Sequence, residues 1–432
     1  MKVAAVDLGA SSGRVAVVDL DTFSVDVVHR FANAPVEVHG TLRWNWTRLM
    51  DEVQRGLHAA GPVASIGVDT WGVDYGVVDD DGDLVAPPFS YRDTRTSCWR
   101  EVVDRIGPDV VYGTTGIQLM AINTLCQLAV HDREELRRAR HLLMLPELVV
   151  HGLCGAATGE RTSAGTTQLV DVRTGDWSAA LLDAIDVDPS LLPPIGKATA
   201  LVGTWNSIPV HLVGGHDTAS AVAALPDPAP GAVFVSSGTW ALVGAERQEA
   251  DTSDAAMRAN FSNEPSVFDG YRFLRNVMGL WMLDECVRAW DADLAALLDA
   301  AGTLPDGGPT VDATDERFLA PRDMEAEVRR AAGLPSGGDR ATVVRCVLDS
   351  LAATIARIVE QLAGFVGPAT EIHVIGGGAR NALLNRLLEE ATGLPMCVGP
   401  AEATALGNAI VQGIALGRFD DLASARRELA SV

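Results

Sequence analysis

The segment VAAVDLGASSGRVAVVDLD, residues 3–21, decides the fold of the chain. Two valine-rich apolar runs flank a turn of small residues, GASSG at 9–13. This pattern is typical of a β-hairpin whose turn contains glycine. The segment AVFVSSGTWALVGAE, residues 232–246, repeats the order of apolar strand, small-residue turn and apolar strand. The sequence therefore predicts two related halves, each of which begins with a hairpin.

The length of the chain also favours two domains. It has 432 residues, of which 47% are hydrophobic and 21% charged, and a chain of this length usually divides into domains of roughly 200 residues. The segment LPDPAPG, residues 225–231, carries three prolines, which stop a helix and stiffen a connector. We predict an N-terminal domain at 1–225 and a C-terminal domain at 226–432.

Strands and helices alternate after each predicted hairpin. HLVGG at 211–215 is predicted to be a strand that leads into a helix, DTASAVAAL at 217–225, and EIHVIGGG at 371–378 a strand that enters a glycine turn. The helical spacing of ATALGNAIVQGIALG at 403–417 predicts the final helix. These patterns indicate an α/β fold of two related domains that face one another across a cleft.

Charge and cysteine usage limit the possible partners and location. The net charge of −23 argues against binding to nucleic acid, which requires clusters of lysine and arginine. The six cysteines are scattered without a C-x-x-C motif, as in reduced cytosolic proteins. We find no signal peptide and no apolar run that is long enough to cross a bilayer. We therefore expect a soluble cytoplasmic protein without nucleic-acid or membrane partners.

Three glycine turns favour a polyphosphate ligand. GASSG, SSGT at 236–239 and GGG at 376–378 would let backbone amides approach an anion closely. Neither a P-loop motif nor G-x-G-x-x-G after the first strand is present. Gly9, Ser11 and Gly13 match the G-x-S-x-G elbow of serine hydrolases, but that motif requires a following helix, whereas strand-like RVAVVDLD follows here.

Two aspartates lie at or just after the ends of predicted strands. Asp7 precedes the first glycine turn and could hold Mg²⁺ through water, or it could simply accept backbone hydrogen bonds in the turn. Asp217 follows GGH and precedes a predicted helix, so it could cap that helix. It could also deprotonate an attacking hydroxyl in phosphoryl transfer, and His216 could bind the substrate or be structural.

The motif DTWGVD, residues 69–74, suits a sugar site, because an aromatic ring beside carboxylates matches the hydroxyls and apolar face of a sugar. The alternative is a core tryptophan with turn acids. YRDTR at 91–95 could add an arginine and an aspartate to the site, or form a surface ion pair.

Together these motifs resemble the FGGY family of carbohydrate kinases. The resemblance runs in order along nearly the whole chain, through DLGASSGR, IGVDTWGVDY, YRDTRT, YGTTGIQ, INTL, GGHDTASAV, SSGTWALVG, RNVMGLW, GGGARNALLN and EATALGN. It implies two domains of the actin/hexokinase type, each with a ribonuclease-H-like sheet, and transfer of the γ-phosphoryl group of ATP, with Mg²⁺, to a sugar hydroxyl. The expected acceptor is the ketose L-rhamnulose, and the expected product is L-rhamnulose 1-phosphate.

The resemblance also implies roles for individual residues. Asp217 would be the proton acceptor. ATP would be contacted by Ala10, Ser11, Ser12, Gly13, Arg14, Thr239 and Gly377, and the sugar by Gly72, His216, Asp217, Thr218 and Asn276. The chain departs from the family pattern at Asp284, where a nucleotide-binding glutamine is expected, and at Glu147, where aspartate is usual.

Three alternatives remain open at the level of sequence. The acceptor could be another ketose, such as L-fuculose, L-xylulose or L-ribulose. The chain could instead be a serine hydrolase that uses Ser11, or a sugar or nucleotide sensor without catalytic activity. The presence of both Asp7 and Asp217 argues against the sensor.

Overall fold

The computed structural model of the protein describes residues 1–319 and 321–432. The strands are β1 (Lys2–Leu8), β2 (Ser12–Asp19), β3 (Ser24–Ala32), β4 (Pro35–Val38), β5 (Thr41–Trp44), β6 (Ile66–Thr70), β7 (Tyr75–Val78), β8 (His141–Met144), β9 (Gly159–Glu160), β10 (Val170–Asp171), β11 (Asp176–Trp177), β12 (Ile195–Gly196), β13 (Leu201–Trp205), β14 (Ile208–His211), β15 (Ala232–Ser237), β16 (Trp240–Arg247), β17 (Ser262–Pro265), β18 (Tyr271–Met278), β19 (Glu371–Ile375) and β20 (Met396–Val398).

The α-helices are α1 (Trp46–Ala60), α2 (Trp99–Ile106), α3 (Pro108–Thr115), α4 (Thr124–Ala129), α5 (Arg133–Arg137), α6 (Leu145–Cys154), α7 (Arg161–Ala164), α8 (Ala179–Ala184), α9 (Asp217–Ala223), α10 (Asp254–Arg258), α11 (Trp281–Trp290), α12 (Leu294–Gly302), α13 (Met324–Ala332), α14 (Arg340–Val366), α15 (Ala382–Thr392), α16 (Ala403–Ala415) and α17 (Leu422–Ala430). Short 3₁₀ helices span Thr94–Cys98, Pro189–Leu191, Glu316–Phe318 and Gly377–Arg380.

The chain folds into two compact units. The first consists of Met1–Asp227, Glu246–Phe273 and Glu402–Val432, and the second of Pro228–Ala245 and Leu274–Ala401. The first passage between units follows Asp227, inside the proline-rich connector 225–231. The division into contiguous domains at 1–225 and 226–432 stays a prediction.

The first six-stranded sheet has the order β13-β14-β6-β1-β2-β3. β1 and β2 form the predicted hairpin, because Leu8 pairs with Gly13 and Lys2 with Asp19 in antiparallel register. β6 runs parallel to β1, and β14 runs parallel to β6. The carboxyl ends of these three strands therefore lie at the same edge of the sheet, where α/β proteins usually bind ligands.

The second six-stranded sheet has the order β17-β18-β16-β15-β19-β20. Its hairpin, β15 and β16, is antiparallel, while β19 runs parallel to β15 and β20 runs parallel to β19. Both sheets thus place an antiparallel partner on one side of the first strand and two parallel strands on the other. This repetition confirms the prediction of two related α/β halves.

Helix α16 packs closely on α9 and on the first sheet. A Cβ atom at Gly407 would lie 1.7 Å from the carbonyl oxygen of Ser220, so only glycine allows the two helices to approach this closely. From the same helix, Asn408 Nδ2 donates to Asp69 Oδ2 at 2.6 Å and Gln412 Nε2 donates to the Ala4 carbonyl at 3.0 Å. The helix therefore supports the strands that end near the glycine turn of the first hairpin.

Most of the elements predicted from sequence are confirmed, with two corrections. The strand predicted at 211–215 is wrong, because β14 ends at His211 and residues 212–215 continue without strand pairing. The helix predicted at 403–417 is present as α16, but it is not the final helix, since α17 follows it. Within the described ranges, 1–319 and 321–432, no helix is both long and apolar enough to cross a membrane.

Candidate active site

The ends of β1 and β6 and the segment after β14 meet at one edge of the first sheet. Asp7 and Asp69 are register partners on the parallel strands β1 and β6. The amide of Thr70 donates to the carbonyl of Gly215 at 2.8 Å, and Thr70 also forms a parallel bridge with His216. Three of the acids considered from the sequence, Asp7, Asp69 and Asp217, therefore occupy this edge of the sheet.

Asp217 is the first residue of α9, and His216 occupies the cap position that the sequence analysis had considered for Asp217. The Oδ1 atom of Asp217 accepts hydrogen bonds from the amide of Thr218 at 2.6 Å and from the Thr218 hydroxyl at 3.2 Å. The side chain keeps 31% of its surface exposed. Asp217 therefore combines an oriented carboxylate with access to a ligand.

The electrostatic surroundings make Asp217 more basic than an ordinary aspartate. Burial raises its pKa and the negative charge of Asp7 adds to the rise, while His216 lowers it. His216 Nε2 lies 3.4 Å from Asp217 Oδ1. A carboxylate with a raised pKa accepts a proton more readily, as a general base requires.

His216 is held on its other side by two charged residues. Its Nδ1 atom lies 3.3 Å from Glu264 Oε2 and 3.3 Å from Arg272 Nη2. The Arg272 guanidinium also contacts Glu264 Oε2 at 3.3 Å, and its side chain is fully buried. The imidazole is thus fixed beside Asp217, which is consistent with a residue that orients a substrate hydroxyl.

Asp7 is buried and bonded to the arginine of the first glycine turn. Arg14 Nε donates to Asp7 Oδ2 at 2.6 Å, and Arg14 Nη1 lies 2.8 Å from Glu402 Oε2. Within the ranges that the structure describes, the buried Oδ1 atom of Asp69 has no hydrogen-bond partner. Burial raises the pKa of Asp69, and the charge of Asp7 raises it further. This crowding of carboxylates is a setting in which a divalent cation would be favoured.

Hydrogen bonds hold the turn of the first hairpin. The amide of Gly9 donates to the Ser12 carbonyl at 2.9 Å, and Asn33 Nδ2 donates to the Gly9 carbonyl at 3.0 Å. Gly13 has no room for a side chain, because a Cβ atom there would lie 2.3 Å from the Phe31 ring. Ser11 is exposed, whereas Ala10 is buried. Because β2 follows this turn rather than a helix, the nucleophile-elbow interpretation of Ser11 is wrong.

The DTWGVD motif forms a buried network instead of an open aromatic platform. Asp74 Oδ2 accepts hydrogen bonds from the indoles of Trp71 and Trp44 at 2.9 and 2.7 Å, and Trp71 is only 6% exposed. The suggestion that Trp71 covers the apolar face of a sugar is therefore wrong. Val73 has a φ of 67°, which is unusual for a β-branched residue. Its amide donates to Thr166 Oγ1 at 3.1 Å, so the loop that contains Gly72 is rigidly held.

Asp93 and Arg95 of the YRDTR segment make internal contacts. Asp93 Oδ2 accepts from the amide of Leu42 at 2.6 Å. Arg95 donates to the side-chain and backbone oxygens of Gln127 at 2.7 and 2.6 Å and lies 3.9 Å above the ring of Phe89. Both side chains hold the loop together, and neither is part of an exposed ion pair.

The second unit brings its two glycine turns together. A Cβ atom at Gly378 would lie 2.0 Å from Ser237 Oγ, so the GGG turn approaches the SSGT turn closely. The start of α11 is bonded to the same turn, because the amides of Leu280 and Trp281 donate to the carbonyls of Gly238 and Thr239 at 2.8 and 3.3 Å. This convergence of glycine turns and a helix N-terminus suits a phosphate group.

The remaining predicted residues of this unit lie on neighbouring elements. Gly377 is exposed at the start of a 3₁₀ helix, Asn276 is half-buried in β18, and Asp284 is exposed in the first turn of α11. An acidic side chain in this first turn favours the helix itself. It would, however, repel a phosphate more than glutamine would.

One group of potential metal ligands that the sequence analysis did not identify occurs among the residues the structure describes. Ligand atoms of Glu371, His373 and Cys397 lie within 4.8 Å of one another. His373 Nε2 is 2.7 Å from Glu371 Oε1, and the Glu371 carboxylate also accepts from the Ala229 amide at 3.1 Å. Since these hydrogen bonds already use the ligand atoms, we assign no metal there.

The sequence analysis missed several charged residues that shape the site: Glu160, Glu264, Arg272 and Glu402. Each lies far along the chain from the motif that it contacts. Glu402 begins the motif EATALGN, and the other three belong to no recognisable local pattern. Glu147 had been noted only as a departure from a family pattern. The roles of all five residues depend on long-range contacts, which the spacing of residues in a single sequence does not reveal.

Two related α/β units, with aspartates at the strand ends of one and convergent glycine turns in the other, define a phosphotransferase of the actin/hexokinase class. Comparison with known proteins identifies the family within this class. Residues 2–233 match the N-terminal domain and residues 233–416 the C-terminal domain of the FGGY family of carbohydrate kinases. The chain belongs to this family and is a carbohydrate kinase.

Similar proteins include relatives that match over nearly their whole length. A rhamnulokinase of Pectobacterium carotovorum subsp. carotovorum (strain PC1) is 38% identical, with 99% of this chain and 90% of the relative covered. A rhamnulokinase of Klebsiella pneumoniae (strain 342) is 39% identical, with 97% and 90% covered.

Solved structures agree with the fold. A ligand-bound xylulose kinase from Lactobacillus acidophilus superimposes with a TM-score of 0.80 at 16% identity, covering 98% of this chain and 91% of that one. Plasmodium falciparum glycerol kinase with ADP gives 0.77 at 15% identity, covering 99% and 92%. At these identities the likeness confirms the fold alone.

Proposed function

We propose that the protein transfers the γ-phosphoryl group of ATP to O1 of L-rhamnulose, with Asp217 as the general base. The observation that carries the proposal is the position of Asp217. It is an oriented, partly exposed carboxylate with a raised pKa at the ligand-binding edge of the first sheet. The rhamnulokinases at 38 and 39% identity support the choice of acceptor.

In this proposal Asp217 accepts the proton of the sugar hydroxyl as that oxygen attacks the phosphorus. Thr218 holds Oδ1 of the carboxylate through two hydrogen bonds and thereby fixes the direction from which the proton is taken. His216, fixed by Glu264 and Arg272, donates to or accepts from a neighbouring sugar hydroxyl. Such positioning accounts for much of the catalysis in phosphoryl transfer.

The residues present fit a Mg²⁺ ion that accompanies ATP. Asp7 Oδ2 is already bonded to Arg14, which favours contact with the ion through water. Asp69 Oδ1, buried and without a partner among the described residues, offers an additional oxygen. Mg²⁺ typically binds one or two carboxylates together with substrate phosphates and water, and it would neutralise charge on the phosphates.

For ATP, we propose contacts from the first hairpin turn and from the glycine turns of the second unit. The first set comprises Ala10, Ser11, Ser12, Gly13 and Arg14, and the second Thr239 and Gly377. Arg14 is engaged by Asp7 and Glu402, so its contact with a phosphate would share the guanidinium among several partners. Asp284 would be a weaker nucleotide contact than the expected glutamine, since a carboxylate lacks the amide donors.

For the sugar, we propose Gly72, His216, Thr218 and Asn276 as ligands besides Asp217. The polar side chains would bind the ring or chain hydroxyls, and Gly72 would contact the sugar through its backbone, since a Cβ atom there would lie 3.0 Å from Thr166. Because buried Trp71 is not available, another apolar residue must meet the methyl group of a 6-deoxy ketose.

We also propose that the protein works in the cytoplasm. All six cysteines are unpaired thiols, as in proteins of reducing compartments. L-Fuculose, L-xylulose and L-ribulose remain alternative acceptors, and the xylulose kinase among the structural neighbours has the same fold.

A coupled assay of ADP release tests the acceptor. Values of kcat/KM for L-rhamnulose, L-fuculose, L-xylulose and L-ribulose would be compared on one preparation, and the phosphorylated carbon would be identified by NMR. We expect L-rhamnulose to be preferred and to carry phosphate at O1. A tenfold preference for L-fuculose would overturn the choice of acceptor, and phosphate at another carbon would overturn the proposed regiochemistry.

A further inference from the structure

The segment Gly214–Asp217, here called the base segment, carries Asp217 but belongs to no strand. β14 ends at His211, and α9 begins at Asp217. Thr70 contacts the segment from β6, through a hydrogen bond to the Gly215 carbonyl and a bridge to His216. The amides of Gly215 and His216 are bound instead by two buried side chains that neither the motifs nor the proposed chemistry include.

Glu160 binds the base segment directly. Its Oε2 atom accepts a hydrogen bond from the amide of Gly215 at 2.9 Å. The same oxygen accepts from the amide and hydroxyl of Thr162 at 2.8 and 2.6 Å and from the amide of Ser163 at 3.1 Å. Glu160 is 1% exposed. Four donors around one buried oxygen hold the carboxylate in a single orientation.

Thr162 provides a second link between Glu160 and the base segment. Its hydroxyl donates to Glu160 and accepts from the amide of His216 at 3.0 Å. Two consecutive amides of the base segment, those of Gly215 and His216, are therefore fixed by one carboxylate and one hydroxyl. The next residue along the chain is Asp217.

The glycines of the base segment permit this close approach. A Cβ atom at Gly215 would lie 3.0 Å from Glu160 Oε2 and 3.2 Å from Pro146, and one at Gly214 would lie 2.8 Å from Val267. The two glycines are therefore required by the packing of the protein itself. They leave room for the protein groups that hold the segment.

A second acid, Glu147, lies behind Glu160. Ser163 donates its hydroxyl to Glu147, and both glutamates line a small cavity of about 10 Å³ beside Gly215. Burial raises the pKa of Glu147 to about 8, so this carboxyl is neutral at pH 7. Burial raises the pKa of Glu160 as well, and the hydrogen bonds from Thr162, Gly215 and Ser163 act against that rise.

We propose that Glu160 and Thr162 are positioning residues for phosphoryl transfer, because they hold the amides of Gly215 and His216 and thereby fix Asp217 against the attacking hydroxyl. The inference rests on the proposed role of Asp217 as general base. A displacement of about 1 Å in a reacting group can cost roughly 100-fold in rate. The anchor should therefore influence kcat although it does not touch the substrate.

Thr162→Val tests the proposal, since valine keeps the shape of threonine but cannot accept from the amide of His216. Thr162→Ser keeps the hydroxyl and loses a buried methyl group, and it serves as the conservative rescue. Thr115→Val is the matched control, because the Thr115 hydroxyl likewise donates to a backbone carbonyl, that of Val111, and accepts from a backbone amide, that of Ile117. Thermal melting of each variant would establish that it is folded.

Two readouts are required. We expect Thr162→Val to lower kcat by about tenfold or more and to accelerate hydrogen exchange of a peptide covering 212–222 by about tenfold, while Thr162→Ser stays within about threefold of wild type in both. Thr115→Val should leave the exchange of this peptide unchanged. A folded Thr162→Val enzyme with unchanged kcat, or with unchanged exchange at 212–222, would overturn the proposal.

The exchange measurement separates this inference from the proposed function. If Asp217→Asn retained full turnover, the role of Asp217 as base would fail whatever Thr162 does. Accelerated exchange in Thr162→Val would still report the anchoring of the base segment, whereas only the combination with a loss of kcat supports positioning for the reaction.

Discussion

The free energy of unfolding of Glu147→Gln, relative to that of wild type, should increase as the pH rises. In the folded state burial raises the pKa of Glu147 from an ordinary value of 4.5 to about 8, so between these values the folded state holds a proton that the unfolded state has released. Folding stability contributed by this group is thus fully present below pH 4.5 and is lost as the pH approaches 8. Glutamine does not titrate, and this loss disappears in the variant.

The magnitude follows from one proton bound on folding. The contribution of Glu147 falls by about 1.4 kcal/mol per pH unit, and hence by about 2.7 kcal/mol between pH 5.5 and 7.5. For domains of this size, a change of 1 kcal/mol shifts the melting temperature by roughly 2–4 °C. The difference in melting temperature between Glu147→Gln and wild type should accordingly grow by about 5 °C or more over this range.

Calorimetric melting of both proteins in a series of buffers from pH 5.5 to 7.5 provides the measurement. Glu134→Gln is a suitable control, because that side chain is 62% exposed and pairs with Arg137 at the surface. Its melting curve should follow that of wild type at every pH. Parallel curves for Glu147→Gln and wild type would refute the conclusion that Glu147 is neutral in the folded protein.

Two further predictions concern the pH profile and the packing of the helices. Because activity requires the Asp217 carboxylate, kcat/KM should fall as the pH drops through the raised pKa of Asp217. His216 lowers this pKa, so His216→Gln should move the acid limb of the pH profile to higher pH. An unchanged acid limb would contradict the electrostatic effect of His216 on Asp217. Gly407→Ala should destabilise the protein by roughly 1–3 kcal/mol in urea unfolding, because its Cβ atom would overlap the Ser220 carbonyl. Gly364→Ala, in an open position of α14, should be neutral or stabilising by roughly 0.5–1 kcal/mol. Equal effects of Gly407→Ala and Gly364→Ala on stability would argue against the close packing of α9 and α16.

The sequence predicted the fold well wherever local patterns determine it. Apolar runs and small-residue turns gave both hairpins, and helical spacing gave α16. The strand at 211–215 was misplaced because its apolar residues are buried without pairing in a sheet, and burial alone does not distinguish a strand from an extended connection.

The candidate site was predicted only in part. In the sequence Asp7 lies at the end of a strand and Asp217 follows one, and the parallel pairing of β1, β6 and β14 brings them to one edge. The contacts of Glu160 with Gly215, and of Glu264 with His216, join segments about 50 residues apart. No local periodicity carries that information, since it arises only when the strands and helices pack.

Single-turnover phosphorylation of L-rhamnulose by Asp217→Asn, with binding of sugar and of ATP measured separately, tests the central claim most directly. Asparagine keeps the size of the side chain but removes the basic carboxylate. The account predicts a rate that is lower by about 10²–10⁴-fold, with both dissociation constants close to those of wild type. A variant that binds both ligands and retains more than half of the wild-type rate would contradict the assignment of Asp217 as general base.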